Sequence, residues 1–253
     1  MIDEIFSVSG HGVIVTGAGS GIGRAIAAGF AVRGALVTAL DRDPHGLASL
    51  VSEHPTVRVV QGDAAEERVV ASLVADHVKA WGRLDTVFAN AGIAGAIAPT
   101  VQLPLEALQQ VLRVNVESGF LLARESIPHF LEAGRGRIIL TCSVWGVRGE
   151  ASAPLTPYAT SKGAVANLTR QLAVELAPYG VTVNALLPAA VETAIADGFY
   201  DDAAAVAGLL RHVPAGKVTA PNVMVGPAIF LASDASEWVT GQLLGVDGGY
   251  LAM

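Results

Sequence analysis

The sequence predicts an α/β fold in a single domain, with a doubly wound parallel sheet covered by helices on both faces. Strand-like and helix-like segments alternate along the whole chain without a linker, which indicates parallel strands joined by helices. A glycine-rich segment joins the first apolar run to the first helical pattern. The chain is 52% hydrophobic and contains 28 glycines, as a buried parallel sheet with many tight turns requires. Its 253 residues suffice for one large core, so we expect residues 1–253 to form one domain.

The expected strands are short apolar runs, many of them rich in β-branched residues. They lie near 12–16, 35–41, 56–61, 84–90, 136–142, 181–187 and 243–247. The expected helices show apolar residues at helical spacing near 21–33, 44–53, 65–81, 104–133, 156–178 and 221–232. Region 189–220 is the least regular, and its alanine-rich composition fits a pair of surface helices. Ligands of such folds bind beyond the carboxyl ends of the strands, where Asp41, Asp63, Asn90, Ser143 and Pro188 are expected.

The first connection, Thr16-Gly17-Ala18-Gly19-Ser20-Gly21-Ile22-Gly23, has the pattern of a phosphate-binding turn between a strand and a helix. Gly17 suits the tight turn, Gly21 allows the backbone to approach a diphosphate, and Gly23 allows close packing of helix on strand. The helix N-terminus then offers unpaired N–H groups to the anion. Asp41 ends the second strand 18 residues after Gly23, where an acid can bind a ribose hydroxyl. These features together predict a dinucleotide site.

Tyr158 and Lys162 are four residues apart in a predicted helix and therefore share one face. A free phenol titrates near pH ~10, and a neighbouring ammonium favours its ionised form. The pair is therefore a candidate proton donor and acceptor near neutral pH. A chance pair on a solvated face would be the better interpretation if the glycine turn and Ser143 were missing.

The glycine spacing TGxxxGxG, with the landmarks that follow it, resembles the classical short-chain dehydrogenase/reductase family over essentially the whole chain. The further landmarks are Asp63, Asn90-Ala91-Gly92, Asn115, Ser143, Tyr158, Lys162, Pro188, Thr193 and Asp247-Gly248-Gly249. The resemblance implies a Rossmann-type fold and hydride transfer between NAD(H) and a secondary alcohol or ketone. It implies that region 189–220 is a substrate lid.

The resemblance implies four catalytic residues. Tyr158 exchanges the proton, Lys162 lowers the tyrosine pKa and holds the nicotinamide ribose, and Ser143 binds the substrate oxygen. Asn115 corresponds to an asparagine that holds a water leading from Lys162 to solvent, and a satisfied core amide is its alternative interpretation. Ser143 and Tyr158 are 15 residues apart, slightly more than is common in the family.

The implied cofactor contacts come from the turn and from the strand ends. They are Gly17, Ser20, Gly21, Ile22, Gly23, Asp41, Arg42, Asp63, Ala64, Asn90, Gly92, Tyr158, Lys162, Pro188, Val191 and Thr193. Asp41 favours NAD because a carboxylate accepts a hydrogen bond from a 2′-hydroxyl and repels a 2′-phosphate. Arg42 is counter-evidence, since related NADP enzymes carry arginine there, but they usually lack the preceding acid. We therefore expect NAD, with NADP less favoured.

Candidate substrate residues are Ile93, Ala94, Val144, Trp145, Arg148, Glu150, Phe199 and Tyr200. Most are apolar and suit a medium-sized ketone. Arg148 and Glu150 fit either polar substrate groups or solvated loop charges. The family usually has Pro-Gly where this chain has Pro188-Ala189, so a backbone strained by positive φ is a concern there.

Composition excludes several other classes. The net charge of −7 without a basic tract argues against nucleic acid and anionic membranes as partners. No apolar run has the length of a membrane span, and the acidic start is unlike a signal peptide. One cysteine, Cys142, and no metal-ligand spacing among the histidines fit a cytoplasmic protein without a catalytic metal. Apolar helices and an apolar C-terminus suggest a homotetramer, which is common in the family.

Two other functions stay open at this point. A 3-oxoacyl-(acyl carrier protein) reductase is an enzymatic alternative, disfavoured because Gly134 and Tyr179 stand where such enzymes tend to carry arginines. A non-catalytic NAD-binding regulator is the alternative from another class, and it would be expected to lack Ser143, Tyr158 or Lys162.

Overall fold

A computed structural model describes residues 2–149, 153–196 and 198–253 of the chain. Its strands are β1 Gly12–Thr16, β2 Leu36–Asp41, β3 Arg58–Gln61, β4 Thr86–Ala89, β5 Gly136–Thr141, β6 Val181–Pro188 and β7 Leu243–Val246. They form one parallel sheet in the order β3-β2-β1-β4-β5-β6-β7. The predicted α/β class and doubly wound parallel sheet are confirmed, because every expected strand is present.

The helices follow the strands in alternation. They are α1 Ile2–Ile5, α2 Gly21–Ala31, α3 Pro44–Glu53, α4 Glu67–Trp81, α5 Leu105–Leu112, α6 Ser118–Ala133, α7 Thr156–Leu176, α8 Ala203–Leu210 and α9 Val225–Ala232. The prediction of one helix over 104–133 was wrong in detail, because a π-helical turn, Arg113–Glu117, separates α5 from α6. Such a turn inserts an extra residue into the helix and often marks a functional position. It contains Asn115.

Two apolar cores cover the two faces of the sheet. Successive residues of β1 point to opposite faces, so Val13 and Val15 belong to one core and Ile14 to the other. Helices α2, α3 and α9 supply the first core, and α4, α6 and α7 supply the second. Burial on both faces explains why the central strands are continuous apolar runs.

The strand order reverses between β1 and β4, which lie side by side at the centre of the sheet. The connections after these two strands leave in opposite directions and open a crevice at their carboxyl ends. The glycine turn follows β1 and the Asn90 loop follows β4 at this crevice. The fold therefore brings together polar residues that are far apart in the sequence.

The segment 189–220 folds back on itself above the sheet. Its two ends are joined by a parallel bridge between Val191 and Thr219, with hydrogen bonds from Glu192 N to Thr219 O (2.9 Å) and from Thr219 N to Ala190 O (2.9 Å). Within it, α8 follows two short 3₁₀ turns, and Leu209 is the buried residue of that helix. The segment is thus an ordered, packed cover over the described part of its length.

Among the helices in the described ranges, none is both long enough and apolar enough to cross a membrane.

Candidate functional site

The turn after β1 has the geometry that anion binding requires. Gly17 and Gly21 have φ values of 66° and 52°, in the left-handed region that favours glycine. At Gly23 a Cβ atom would lie 2.0 Å from the carbonyl oxygen of Gly17, so a side chain cannot fit there. Helix α2 begins at Gly21, and its free N–H groups face the crevice. Positive φ therefore requires glycine at positions 17 and 21, and close backbone contact requires it at position 23.

Asp41, the last residue of β2, supports this turn from beside it. Its Oδ2 accepts a hydrogen bond from Gly19 N at 2.8 Å, and its Oδ1 accepts one from Asp43 N at 2.9 Å. Arg42 is exposed next to it. Asp63 follows the end of β3. Its side chain accepts a hydrogen bond from Ala65 N at 2.9 Å and lies 3.6 Å from the guanidinium of Arg113. Asp63 thus both caps a turn and lines the cavity.

Asn90 ties together the ends of three strands. Its backbone N donates to Thr16 Oγ1 at 3.1 Å, and its side-chain nitrogen donates to Gly17 O at 3.2 Å. Thr141 Oγ1 donates to Asn90 Oδ1 at 3.0 Å. Sequence reasoning missed Thr16 and Thr141 as members of the site. Their position as the last residues of β1 and β5 is the signal that could have identified them.

Ser143, Tyr158 and Lys162 meet beyond the end of β5. The side chains of Ser143 and Tyr158 are hydrogen-bonded to each other, and Ser143 Oγ also accepts from Trp145 N at 3.2 Å. Lys162 lies one turn along α7, with its Nζ 5.5 Å from the centre of the Tyr158 ring. Lys162 Nζ donates to Thr141 O at 2.7 Å. The predicted spacing therefore places a hydroxyl, a phenol and an amine at one wall.

Burial dominates the acid–base properties of this group. It raises the pKa of Tyr158 above its ordinary value, and the opposing effect of the Ser143 hydrogen bond does not cancel the rise. Burial also lowers the pKa of Lys162 to about 8. Burial is thus the dominant influence on both groups, and the pKa of Tyr158 is raised overall in the protein alone. Desolvation penalises the charged form of each group, so it moves the two pKa values in opposite directions.

Asn115 is buried behind this wall and does not line the cavity. Its Oδ1 accepts from Ile93 N at 2.8 Å, while its Nδ2 donates to Ile93 O and to Ser161 Oγ, both at 2.9 Å. The π-helical turn directs this amide towards the loop after β4. Both polar atoms of this side chain are thus hydrogen-bonded within the protein, and it fixes the loop that carries Gly92 and Ile93.

One cavity of about 740 Å³ connects the glycine turn with Ser143 and Tyr158. Gly23 lies outside it, beneath the turn. The other predicted cofactor contacts all line it: Gly17, Ser20, Gly21, Ile22, Asp41, Arg42, Asp63, Ala64, Asn90, Gly92, Tyr158, Lys162, Pro188, Val191 and Thr193. The glycine cradle, the Asp41 carboxylate and the volume of this cavity fit a dinucleotide.

The predicted substrate residues divide into four groups, of which Arg148 is described separately below. Ile93, Ala94, Trp145, Phe199 and Tyr200 line the cavity, together with apolar residues that sequence reasoning missed: Ile97, Val114, Ala153, Leu155, Ile195 and Leu209. Val144 is buried in a small core with Val213 and Tyr250. Glu150 lies outside the described residues.

Arg148 does not line the cavity and contacts the C-terminal segment instead. Its Nη1 donates to Tyr250 O at 3.3 Å, and its guanidinium lies 5.1 Å from the centre of the Tyr250 ring. The prediction that Arg148 meets substrate was wrong at this point, because Tyr250 occupies it. No local pattern connects residues 102 positions apart.

Two further expectations concern the backbone and metals. Ala189 carries no strain from positive φ, because every described residue with positive φ is a glycine. The concern about Pro188-Ala189 is therefore removed. Within the part of the chain that the structure describes, no three histidine, cysteine, aspartate or glutamate side chains cluster as metal ligands would.

Comparison with known proteins agrees with this geometry. A family model described as enoyl-(acyl carrier protein) reductase matches residues 17–251. The 2,5-dichloro-2,5-cyclohexadiene-1,4-diol dehydrogenase of Sphingobium indicum is 37% identical over 97% of this chain and 99% of its own. The 5-keto-D-gluconate 5-reductase of Escherichia coli K12 is 33% identical over 99% of each chain.

A solved structure from Beutenbergia cavernae, provisionally assigned as an NAD(P)-dependent gluconate 5-dehydrogenase and containing NADP, is similar throughout. It is 41% identical with a TM-score of 0.91, and the match covers 98% of this chain and 100% of that one. The sequence landmarks, the fold and these similarities lead to the same assignment: this chain belongs to the classical short-chain dehydrogenase/reductase family.

Proposed function

We propose that the protein transfers a hydride between NAD(H) and a secondary alcohol or ketone, with Tyr158 as the general acid and base. Membership of the family makes it an oxidoreductase that uses NAD(P). The observation that carries the proposal is the hydrogen-bonded pair of Ser143 and Tyr158 in the cavity that also contains the glycine turn.

The cavity offers a place for each part of the dinucleotide. The turn and the start of α2 would hold the diphosphate, Asp41 the adenosine ribose, and Asn90 and Lys162 the nicotinamide ribose. Pro188, Val191 and Thr193 would flank the nicotinamide. The bound cofactor supplies the hydride acceptor or donor, and the protein contributes orientation and the proton.

Tyr158 is suited to hold a proton and release it to a substrate oxygen. Because burial raises its pKa, the phenol is protonated at neutral pH and can donate to a ketone. In the reverse direction the phenol must first release its proton, and the phenolate so formed accepts the proton of the alcohol. The Ser143 hydroxyl lies beside it and can hydrogen-bond the oxygen on which charge develops.

We propose NAD over NADP because of the fixed position of Asp41. Its carboxylate is held by Gly19 N and Asp43 N, so it cannot easily turn away from a 2′-phosphate. The described residues of the turn carry no lysine or arginine before Arg24. Arg24 itself donates to Gly46 O at 2.9 Å and lies 2.9 Å from Glu53. The structure of the Beutenbergia protein contains NADP, so NADP is the weaker alternative cofactor and is measured beside NAD.

The direct experiment follows the absorbance of reduced nicotinamide with NAD and with NADP. The substrates to be tested are polyols, cyclic alcohols, aryl secondary alcohols and hydroxyacyl esters. We expect turnover with at least one class and a higher kcat/KM with NAD. No turnover of any class with either cofactor would contradict the proposed activity, and a higher kcat/KM with NADP would contradict the cofactor preference.

A 3-oxoacyl-(acyl carrier protein) reductase stays the weaker enzymatic alternative, although the description of the matching family model, enoyl-(acyl carrier protein) reductase, also names a carrier-bound substrate. Gly134 and Tyr179 precede β5 and β6, so they lie at the opposite edge of the sheet from Ser143. An arginine at either of these two positions would therefore not lie at the entrance of the cavity of its own chain. The net charge of −7 still opposes binding of an acidic carrier.

We also propose a cytoplasmic homotetramer. Large apolar side chains remain exposed on one chain: Val101 at 92%, Trp238 at 95% and Leu105 at 62%. Exposed apolar groups of this size are commonly covered in an oligomer. The lone Cys142 is a buried free thiol, as a reducing compartment permits.

A further inference from the structure

The charged side chains among the described lining residues lie at two places in the cavity, the adenosine end and the reacting centre. Among its described lining residues, Asp41, Arg42 and Asp63 lie at the adenosine end, and Lys162 lies beside Tyr158. Beyond Tyr158 the described lining is apolar apart from hydroxyl groups. It includes Ile93, Ala94, Ile97, Leu155, Phe199 and Leu209.

Past the reacting centre, the Tyr200 hydroxyl and the Arg148 guanidinium are engaged with other groups of the protein. Tyr200 OH donates to Val191 O at 2.8 Å, which fixes the base of the segment 189–220. Arg148 contacts Tyr250 through a hydrogen bond and its ring face, and it does not line the cavity. A substrate carboxylate would therefore find no cationic partner in the described substrate end, and burial of an unpaired carboxylate is strongly unfavourable.

Trp145 forms the wall next to the reacting groups. Its ring centre lies 6.0 Å from that of Tyr158 with an angle of 76° between the rings, an edge-to-face contact. Its backbone N donates to Ser143 Oγ, and its Nε1 donates to Tyr250 OH at 3.2 Å. A substrate whose oxygen reaches Ser143 and Tyr158 must therefore place its carbon skeleton against this indole.

Tyr250 is a buried anchor for this wall. Only 2% of its surface is exposed, and its ring also makes an edge-to-face contact with His212, 6.1 Å away. The C-terminal segment thus joins the loop after Ser143 to the segment 189–220. Trp145 donates hydrogen bonds from both its backbone nitrogen and its ring nitrogen, so the position of its indole is defined before a ligand binds.

We propose that the site takes an uncharged, ring-sized secondary alcohol or ketone, and that Trp145, held by Tyr250, sets the size of the ring that fits. This inference rests on the proposed function and names its substrate class. Flat apolar walls and one polar edge match a carbocycle that carries a single reacting oxygen. They match a polyhydroxylated acid poorly.

The first test compares two ketones of similar shape that differ in charge, 4-methylcyclohexanone and 4-oxocyclohexanecarboxylate, with 5-keto-D-gluconate as a third substrate. We expect kcat/KM for the uncharged ring to exceed that for both acids by more than about 10-fold. Equal or faster turnover of either acid would overturn the substrate class and leave the proposed function intact. Failure with all three ketones beside turnover of another class in the screen above would also overturn the substrate class, whereas no turnover of any class would refute the proposed function.

The second test changes the wall and uses the ratio of kcat/KM for 2-decalone to that for cyclohexanone. Trp145→Ala is expected to raise this ratio by about 10-fold, because it removes the indole from the ring site. Tyr250→Phe keeps the aromatic ring and is expected to raise the ratio by a smaller factor, with the KM for cyclohexanone rising more than kcat falls. Comparison of the ratio separates substrate fit from a general loss of activity.

Tyr179→Phe is the matched control, since this tyrosine is 55% exposed and precedes β6 at the far edge of the sheet. It should leave the ratio at the wild-type value. An unchanged ratio in Trp145→Ala would overturn the role of the indole. An unchanged ratio in Tyr250→Phe would show that the hydroxyl does not hold the wall.

Discussion

Tyr158 carries the proposed chemistry as a single hydroxyl in a buried position, 9% exposed. Replacing it with phenylalanine keeps the ring that contacts Trp145 and removes only the group that exchanges the proton. We expect Tyr158→Phe to lower kcat by about 100-fold or more, the range of a lost general acid–base group. NADH affinity, measured by fluorescence titration, should stay within a few-fold of wild type. Substantial turnover in this variant would contradict the assigned role.

Asp41 is the residue that most directly tests the cofactor preference. Asp41→Ala should weaken NAD and improve NADP relative to it, because the 2′-phosphate loses a repelling charge and keeps Arg42 nearby. The ratio of kcat/KM for the two cofactors measures this.

Loss of the Asp41 carboxylate also removes a hydrogen bond to Gly19 N, so Asp41→Asn is the matched control. It removes the charge and retains an oxygen acceptor. The same relative gain for NADP in both variants would identify charge as the cause, whereas a gain in Asp41→Ala alone would point to loosening of the turn.

At the scale of an element, the turn and α2 depend on close contact between backbones. Gly23→Ala would place a Cβ 2.0 Å from Gly17 O and 2.5 Å from Asn90 Nδ2. The backbone must then move, which should cost about 1–3 kcal/mol in the free energy of unfolding and weaken NADH binding. Urea unfolding and NADH titration measure the two effects.

Gly226→Ala in α9 is a control for the loss of a helical glycine. Nothing lies within 4 Å of its added Cβ, and its φ is not positive. It should stabilise the protein by up to about 1 kcal/mol and leave NADH binding unchanged. If Gly23→Ala behaved in the same way, the close approach of helix and turn would not be essential.

At the scale of the whole molecule, a buried histidine makes stability depend on pH. His77 is fully buried in α4, its Nδ1 is 2.8 Å from Thr38 Oγ1, and burial lowers its pKa to about 4. The unfolded chain therefore binds a proton at a higher pH than the folded protein does. Stability should be constant above the unfolded pKa of about 6.5 and fall as the pH decreases towards 4, by about 3 kcal/mol in total.

Urea unfolding at pH 7.5 and pH 5 measures this difference. His77→Gln can retain a hydrogen bond to Thr38 without titrating, so the fall should become smaller in that variant. His45→Gln, at an exposed position on α3, should retain the wild-type difference. His11, whose pKa burial also lowers, acts in the same direction and leaves a residual slope. An unchanged fall in His77→Gln would contradict the assignment.

Assembly is the second property of the whole molecule. We expect sedimentation velocity at micromolar concentration to show four chains, and Trp238→Ser to weaken the association because it removes a 95% exposed indole. Val32→Ser changes an exposed valine on another surface and serves as control. A single-chain mass for the wild type would refute the proposal. Deletion of residues 250–253 would not test it, because Tyr250 is buried within its own chain.

The sequence alone determined the fold class and the main chemical groups because those signals are local. The β-branched run Val13-Ile14-Val15 specifies a buried strand by composition, and the glycines after it are required by positive φ or by close backbone contact. Tyr158 and Lys162 share a helix face because of helical periodicity alone. The strand ends then place Asp41, Asn90 and Ser143 at one edge.

Only the tertiary structure decided what each group contacts and how it titrates. Asn115 bonds to Ile93 and Ser161, and Arg148 bonds to Tyr250, through contacts between segments far apart in the chain. Burial, and not the neighbouring ammonium, determines the direction in which the Tyr158 pKa moves. Distances and desolvation arise from packing of the whole chain, and no local sequence pattern contains them.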